Sequence, residues 1–314
     1  MKRVTVLGAT GGVGYALTKE LLSRGVHVNA FARNESKLSA MFGIEQNAEI
    51  FIGDALDESD IRRAVAQADA VYHALNFPYS EWEVKQLRCI NLLIKVAKEE
   101  NKKLILADNI YGYGNKSMHV SEETVKQPNT KKGKIRLQME QRLFQSGLPV
   151  LIVHLPDLYG PYAENTLIHE TLRLAIQSKK ANYIGCATQH REYLFTMDAA
   201  KAITDLSLQD DCYNQNWNVS GSVIKGETLL AHIRTETNTT KGFRIVKRPM
   251  IRFLGLFSKQ MKELVEMMYL METPVYLDSS KLRHYFGGWE PTPYEIGVRE
   301  TVLWLKHESS EKVS

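Results

Sequence analysis

Short apolar runs alternate with amphipathic stretches along the first half of the chain. Val4-Thr5-Val6-Leu7 is apolar on both faces of a strand and stops at Gly8, the pattern of a buried parallel strand. Residues 13–23 place Val13, Ala16, Leu17, Leu21 and Leu22 on one helical stripe, and Gly25 supplies the stop. Further strands are predicted over 26–31, 48–53, 69–73, 103–107 and 149–155. Helices are predicted between them over 35–41, 59–68, 81–100 and 134–145, the last closed by Gly147. A loop rich in Gly, Tyr, Asn and Pro covers 108–130. This rhythm gives βαβ units with right-handed crossovers, so an α/β fold with a doubly wound parallel sheet is expected.

After about residue 160 the rhythm loosens. The expected division is a sheet domain over 1–160 and a smaller C-terminal, substrate-side region over 161–314, with some segments returning to the sheet. Near the end, Lys259–Met271 carries Leu264, Met267, Met268 and Met271 at helical spacing and reads as one core-facing helix. At 314 residues the chain suits one large domain or a large and a small one. The net charge of +4 is small and the signs are interspersed, so no nucleic-acid partner is expected. The densest basic runs, 131–134 and 244–252, read as solvated faces. Cys89, Cys186 and Cys212 are sparse and far apart, which argues for a reducing compartment and against a thiolate metal site. There is no signal-peptide pattern and no long apolar span, so a cytoplasmic protein without a membrane partner is expected. The nine histidines show no ligand spacing, and no metal is expected.

The chemistry starts at Gly8-Ala9-Thr10-Gly11-Gly12-Val13-Gly14, between the first strand and the first helix. A turn there needs positive φ, and a pyrophosphate needs bare N–H groups at a helix N-terminus. The strand–turn–helix setting makes this a dinucleotide-binding turn of Rossmann-like type. At the end of the second strand the chain reads Phe31-Ala32-Arg33-Asn34, with no acidic residue before Glu35. Arg33 suits a 2′-phosphate, so NADP is favoured over NAD; its plainer role is a solvent-facing residue at the helix entry.

The spacing G-x-x-G-x-x-G resembles the short-chain dehydrogenase/reductase family, and more closely its extended, epimerase/dehydratase-like branch. The resemblance runs along nearly the whole chain. It includes Gly53-Asp54, His73-Ala74-Leu75-Asn76, Tyr113-Gly114, and Leu155-Pro156-Asp157-Leu158-Tyr159-Gly160-Pro161. Phe195-Thr196-Met197-Asp198-Ala199-Ala200 and Trp217-Asn218-Val219-Ser220-Gly221 continue it. It implies cofactor contacts from Asp54, Ala55, Ala74, Leu75, Asn76 and Pro156, beside the Gly-rich turn. Asp54 has a helix cap as its plainer role, which Asp57 or Ser59 can also fill. The resemblance also implies a carbonyl or nucleotide-sugar-like substrate and pairing of two long helices in a homodimer.

The family mechanism implied by the resemblance uses a Ser or Thr with Tyr-x-x-x-Lys, the phenol being the acid/base and the Lys its activating cation. This chain departs from it. Asn109 stands at the Ser place, Lys132 at the Tyr place and Arg136 at the Lys place. Three readings stand. Tyr111 or Tyr113 supplies the phenol, with Lys132 as the cation; Lys132 itself carries the proton; or the fold binds NAD(P) as a silent regulator or redox sensor. On the substrate side, Tyr113 and Tyr159 shape the pocket, and His190-Arg191 offers an anion contact. A structural tyrosine and a surface ion pair are the plainer roles there. Asp198 reads as a helix N-cap. The expected function is an NAD(P)-dependent epimerase, dehydratase or reductase.

Overall fold

The computed structural model describes residues 1–311. The strands of the central sheet are β1 (Arg3–Leu7), β2 (His27–Ala32), β3 (Ala48–Ile52), β4 (Ala70–His73) and β5 (Lys103–Asn109). After the short β6 (His119–Val120) come β7 (Val150–Leu155), β8 (Asp157–Tyr159), β9 (Ala181–Ile184), β10 (His190–Phe195) and β11 (Gln215–Asn218). The central order is β11-β7-β5-β4-β1-β2-β3. Every pairing is parallel, with Val4 opposite both Val28 and Ala70. The chain leaves β1 in one direction, to β2 and β3, and returns on the other side as β4. That reversal opens a crevice at the C-terminal ends of β1 and β4, where open α/β sheets bind ligands.

Helices α1 (Gly12–Ser23), α2 (Glu35–Phe42), α3 (Glu58–Val65), α4 (Trp82–Glu99) and α5 (Lys131–Phe144) follow the first strands, and α6 (Leu167–Ile176) and α7 (Thr196–Ser207) come later. The sheet carries apolar clusters on both faces. One joins Val4, Val6, Leu17, Leu21, Ile203 and Leu206; the other joins Leu7, Val71, Ile90, Leu93, Leu104 and Ile152. The C-terminal half adds β12 (Ser222–Lys225), α8 (Gly226–Thr237), β13 (Phe243–Val246), α9 (Arg248–Leu254), α10 (Lys259–Met267), α11 (Tyr269–Glu272), β14 (Tyr276–Leu277), α12 (Ser280–Phe286) and α13 (Tyr294–Glu311). Small sheets β12-β10-β8, β13-β9 and β14-β6 tie this half together. Among the described residues no helix is long and apolar enough to cross a membrane.

Several local expectations need correction. Helix α5 starts at Lys131, three residues earlier than expected, because Thr130 Oγ1 accepts the Gly133 N–H at 3.0 Å. The polar run Lys131–Lys134 hides that start from apolar periodicity. The Met-rich helix breaks at Met268 into α10 and α11. Asp57, not Asp54, caps α3. Asp198 does not cap α7; it lies in the first turn, and its carboxylate accepts from Thr292 N and Oγ1 at 2.7 and 2.8 Å. It is therefore a tether for the segment leading into α13.

Candidate active site

The Gly-rich turn is built by backbone proximity. Gly8 has φ +83°, and a Cβ there would sit 2.8 Å from Leu75 Cα. A Cβ on Gly14 would lie 2.0 Å from Gly8 O, so β1 and α1 approach closer than any side chain permits. Gly8 N and Ala9 N both donate to Phe31 O, which sets the turn against β2. No side chain caps α1, whose N-cap is Gly11. The Gly11 N–H turns back to Gly8 O at 3.0 Å, and the half-buried Gly12 and Val13 that follow present the positive end of the helix without a side-chain cap. That uncapped end fits a dinucleotide pyrophosphate. A segment after β8 folds against it: Ala163 abuts Gly12, Tyr162 lies on Tyr15 with centroids 4.2 Å apart, and Glu164 pairs with Lys37 at 2.9 Å.

Along the same crevice, Arg33 is exposed just beyond β2 and has no ion pair among the described residues. Asp54 is exposed and accepts the Leu56 N–H at 3.0 Å, with Ala55 buried beside it. Beyond β4, Ala74 and Leu75 are half-buried and Asn76 is exposed. Asn76 Oδ1 accepts from Gln86 Nε2 at 2.8 Å and from Arg136 Nη2 at 3.3 Å. His73, fully enclosed behind them, is held neutral: burial pushes its pKa down to about 4. Pro156 is buried where β7 ends.

Asn109, Lys132 and Arg136 each have partners within the protein. Asn109 Oδ1 accepts the Tyr111 N–H at 3.0 Å, which leaves its amide NH₂ as a donor. Arg136 is buried, with Nη1 3.3 Å from Asp108 Oδ1 and its guanidinium over the Trp82 ring at 4.6 Å. Lys132 is only 2% exposed. Its Nζ donates to Glu263 at 2.6 Å and to Glu266 at 2.7 Å, both on α10, and lies 5.1 Å from the Tyr79 ring centroid. Glu266 also accepts the Lys131 N–H. So α10 is pinned to the N-terminus of α5.

The loop tyrosines take structural places. Tyr111 Oη is 2.7 Å from Tyr79 Oη, and burial pushes its pKa well up. Tyr113 Oη donates to Asn218 Oδ1 at 2.8 Å, and burial raises it likewise. Among the described residues neither hydroxyl bonds to Lys132; the rings instead join an apolar cluster with Ile110, Leu264, Met267, Tyr269 and Leu270. Tyr159 is stacked on Tyr294, with centroids 5.6 Å apart. His190 is exposed, while Arg191 is buried and paired with Asp157, its guanidinium also touching the Met271 sulfur. Arg191 is therefore a buried internal pair rather than a surface one.

One cluster has no motif in the sequence. Behind Tyr113, Lys126 Nζ lies 2.5 and 2.6 Å from the Glu140 oxygens and 3.2 Å from His154 Nε2. Burial opposes the Glu140 charge, but the His154 hydrogen bond and Lys126 outweigh it and hold the carboxyl down at about 2. Asp108, Glu140 and His154 bring ligand atoms within 4.8 Å of one another. The Lys126 ammonium already fills the cationic place there. A separate groove, lined by Glu122, Pro149, Asn214 and Lys281, lies at the opposite ends of β7 and β11.

Comparison with known proteins agrees with this geometry. Residues 8–172 match the family described as NAD(P)H-binding. An uncharacterized UDP-glucose epimerase of Bacillus subtilis is 22% identical over 259 residues, covering 74% of this chain and 82% of the relative. The UDP-N-acetyl-alpha-D-glucosaminuronate decarboxylase of Bacillus cytotoxicus is 26% identical, covering 97% and 98%. The UDP-glucuronic acid 4-epimerase of Bacillus cereus, solved in complex with NAD, shares the fold with a TM-score of 0.80 at 17% identity, over 98% of this chain and 99% of that one. With its uncapped Gly-rich turn at the sheet's switch point, the chain belongs to the NAD(P)H-binding family.

Proposed function

We propose that this chain is an NADP-preferring enzyme of the epimerase/dehydratase type acting on a sugar nucleotide, with Lys132, Glu263 and Glu266 where its relatives use a phenol. The observation that carries this reading is the uncapped Gly-rich turn at the sheet's switch point, with Arg136, one turn of α5 from Lys132, bonded to Asn76 just beyond β4. A bound nicotinamide supplies a hydride acceptor or donor. Arg33 pairs with a 2′-phosphate, and the first-turn N–H groups of α1 receive the pyrophosphate. Arg136 holds a ribose hydroxyl. The Asn109 amide donates to the reacting substrate oxygen without titrating. Glu263 or Glu266 would take the substrate's hydroxyl proton, with Lys132 orienting the two carboxylates. Pairing through the outer faces of α4 and α5 in a homodimer goes with this reading.

A second reading, a regulator that binds NADP without turnover, is favoured by one observation. Helix α10 sits on Lys132 and packs with Tyr79 and Tyr111, filling the substrate side. Calorimetric titration with NADPH, NADP⁺, NADH and NAD⁺ tests the cofactor. NADP should bind at least about tenfold tighter than NAD, and Arg33→Ala should erase that preference, since a charged hydrogen bond contributes about 1.5–3 kcal/mol. Equal loss for both cofactors sinks the 2′-phosphate role. Mixing the NADP⁺-loaded protein with UDP-glucose, UDP-glucuronate or dTDP-glucose, and following reduced nicotinamide by absorbance, separates enzyme from regulator.

A further inference from the structure

The hairpin formed by α9 and α10 has two unlike faces. Its inner face packs on the active-site loop through Ile251, Leu264 and Met267. Its outer end exposes the apolar side chains of Met250, Phe253, Leu254, Leu256 and Phe257. Phe253 is 63% exposed, Leu256 75% and Phe257 79%. The two phenylalanine rings touch edge to face, with centroids 5.6 Å apart, so they form one patch. Exposed aromatics in contact, on a surface turn, mark an interaction site rather than scattered surface residues.

The charge around the patch is one-sided. From residue 241 to 262 the chain carries Lys241, Arg244, Lys247, Arg248, Arg252, Lys259 and Lys262, all exposed, and no Asp or Glu. Among the described residues only Arg248 of these has a carboxylate partner, Glu272 at 2.7 Å. Apolar residues at a tip, flanked along the chain by exposed cations, match an anionic lipid surface in both chemistries. The headgroups take the charge and the acyl boundary takes Phe and Leu. A second copy of this chain fits poorly, because a two-fold contact would set these cations against themselves.

We infer that the exposed α9–α10 turn, with Phe253, Leu256 and Phe257 flanked by the exposed Arg252, Lys259 and Lys262, docks the protein on an anionic membrane surface. This departs from the expectation of no membrane partner. The contact is peripheral, and it lies on the outer side of the hairpin whose inner side holds Lys132.

Co-sedimentation of the full chain with vesicles tests the inference. One set is phosphatidylcholine alone; the other is an equimolar mixture of phosphatidylcholine and phosphatidylserine. Binding is expected to the anionic vesicles only, and to weaken as salt rises. Arg252→Gln and Lys259→Gln should each lower the partition coefficient about fivefold, at about 1 kcal/mol per basic residue near the surface. Leu256→Ser with Phe257→Ser should lower it at least about tenfold. Thermal melting and dinucleotide affinity should stay unchanged, because these side chains are exposed. No binding to the anionic vesicles overturns the inference, as does equal binding by the variants. A concentration-dependent dimer in sedimentation, lost in the Leu256/Phe257 variant, would reassign the patch to self-association.

Discussion

The two ends of the crevice are made of different materials. The proposed cofactor end is backbone: glycines that exclude a Cβ, an uncapped helix and, beyond β2, Arg33, which has no ion pair among the described residues. The substrate end is side chain: Lys132 clasped by two glutamates, tyrosines hydroxyl to hydroxyl, and methionines from α10 and α11. A backbone cradle recognises what every dinucleotide shares, so it stays constant while the chemistry beside it changes. The substrate end has been rewritten by residues more than a hundred positions away, Glu263 and Glu266. The proposed function therefore predicts that cofactor binding and turnover are separable in this molecule.

The largest effect should come from breaking the clasp. Glu263→Gln with Glu266→Gln leaves a buried ammonium without a counter-charge, a loss of about 3–5 kcal/mol. Calorimetric melting should show it, and hydrogen exchange should rise across 259–271 while NADP affinity is kept. Loss of NADP affinity to the same extent would mean that the two ends are not separable. A smaller effect is expected at the cofactor end from Gly14→Ala. Its Cβ meets Gly8 O, so the turn must shift, at about 1–3 kcal/mol, and dinucleotide binding should drop sharply in titration. Unchanged binding would deny the turn its role.

The smallest effect concerns pH. Glu192 is buried, and desolvation pushes its pKa up to about 8, against the hydrogen bonds it accepts from Leu277 N and Gly221 N. Its folded pKa therefore lies above the unfolded value, and the folded state holds the extra proton between the two. Stability contributed by this group falls as pH rises toward 8. His73 works oppositely, its folded pKa being lower, so its contribution is lost as pH falls from 6.5 toward 4. Between about pH 6.5 and 8 only Glu192 acts of these two, and melting should show a decline of about 1–2 kcal/mol. Glu192→Gln should flatten that slope. A wild-type stability that rises across this interval would contradict the burial account.

The sheet was legible because its cause is local. Apolar runs of β-branched residues and the helical stripe after Gly8 need no partner to be recognised, and the Gly-rich turn lies within seven residues. Elements with a polar start were harder. Thr130 caps α5 through a hydroxyl, and the Lys-rich first turn has no apolar rhythm. The cluster of Lys126, Glu140 and His154 could not be read at all, since its members have no motif and meet only across α5 and β7.

The sequence by itself determined the doubly wound sheet, the Gly-rich turn and the lack of Tyr-x-x-x-Lys at the place that Lys132 and Arg136 occupy, because each depends on neighbours along the chain. It also showed Lys132 and Arg136 four residues apart. Only the tertiary structure decided what those residues do: Arg136 faces Asp108 and Asn76, while α10 delivers two carboxylates to Lys132. The physical reason is that a buried charge takes its character from whatever opposite charge packs against it, and that partner is chosen by the fold rather than by spacing.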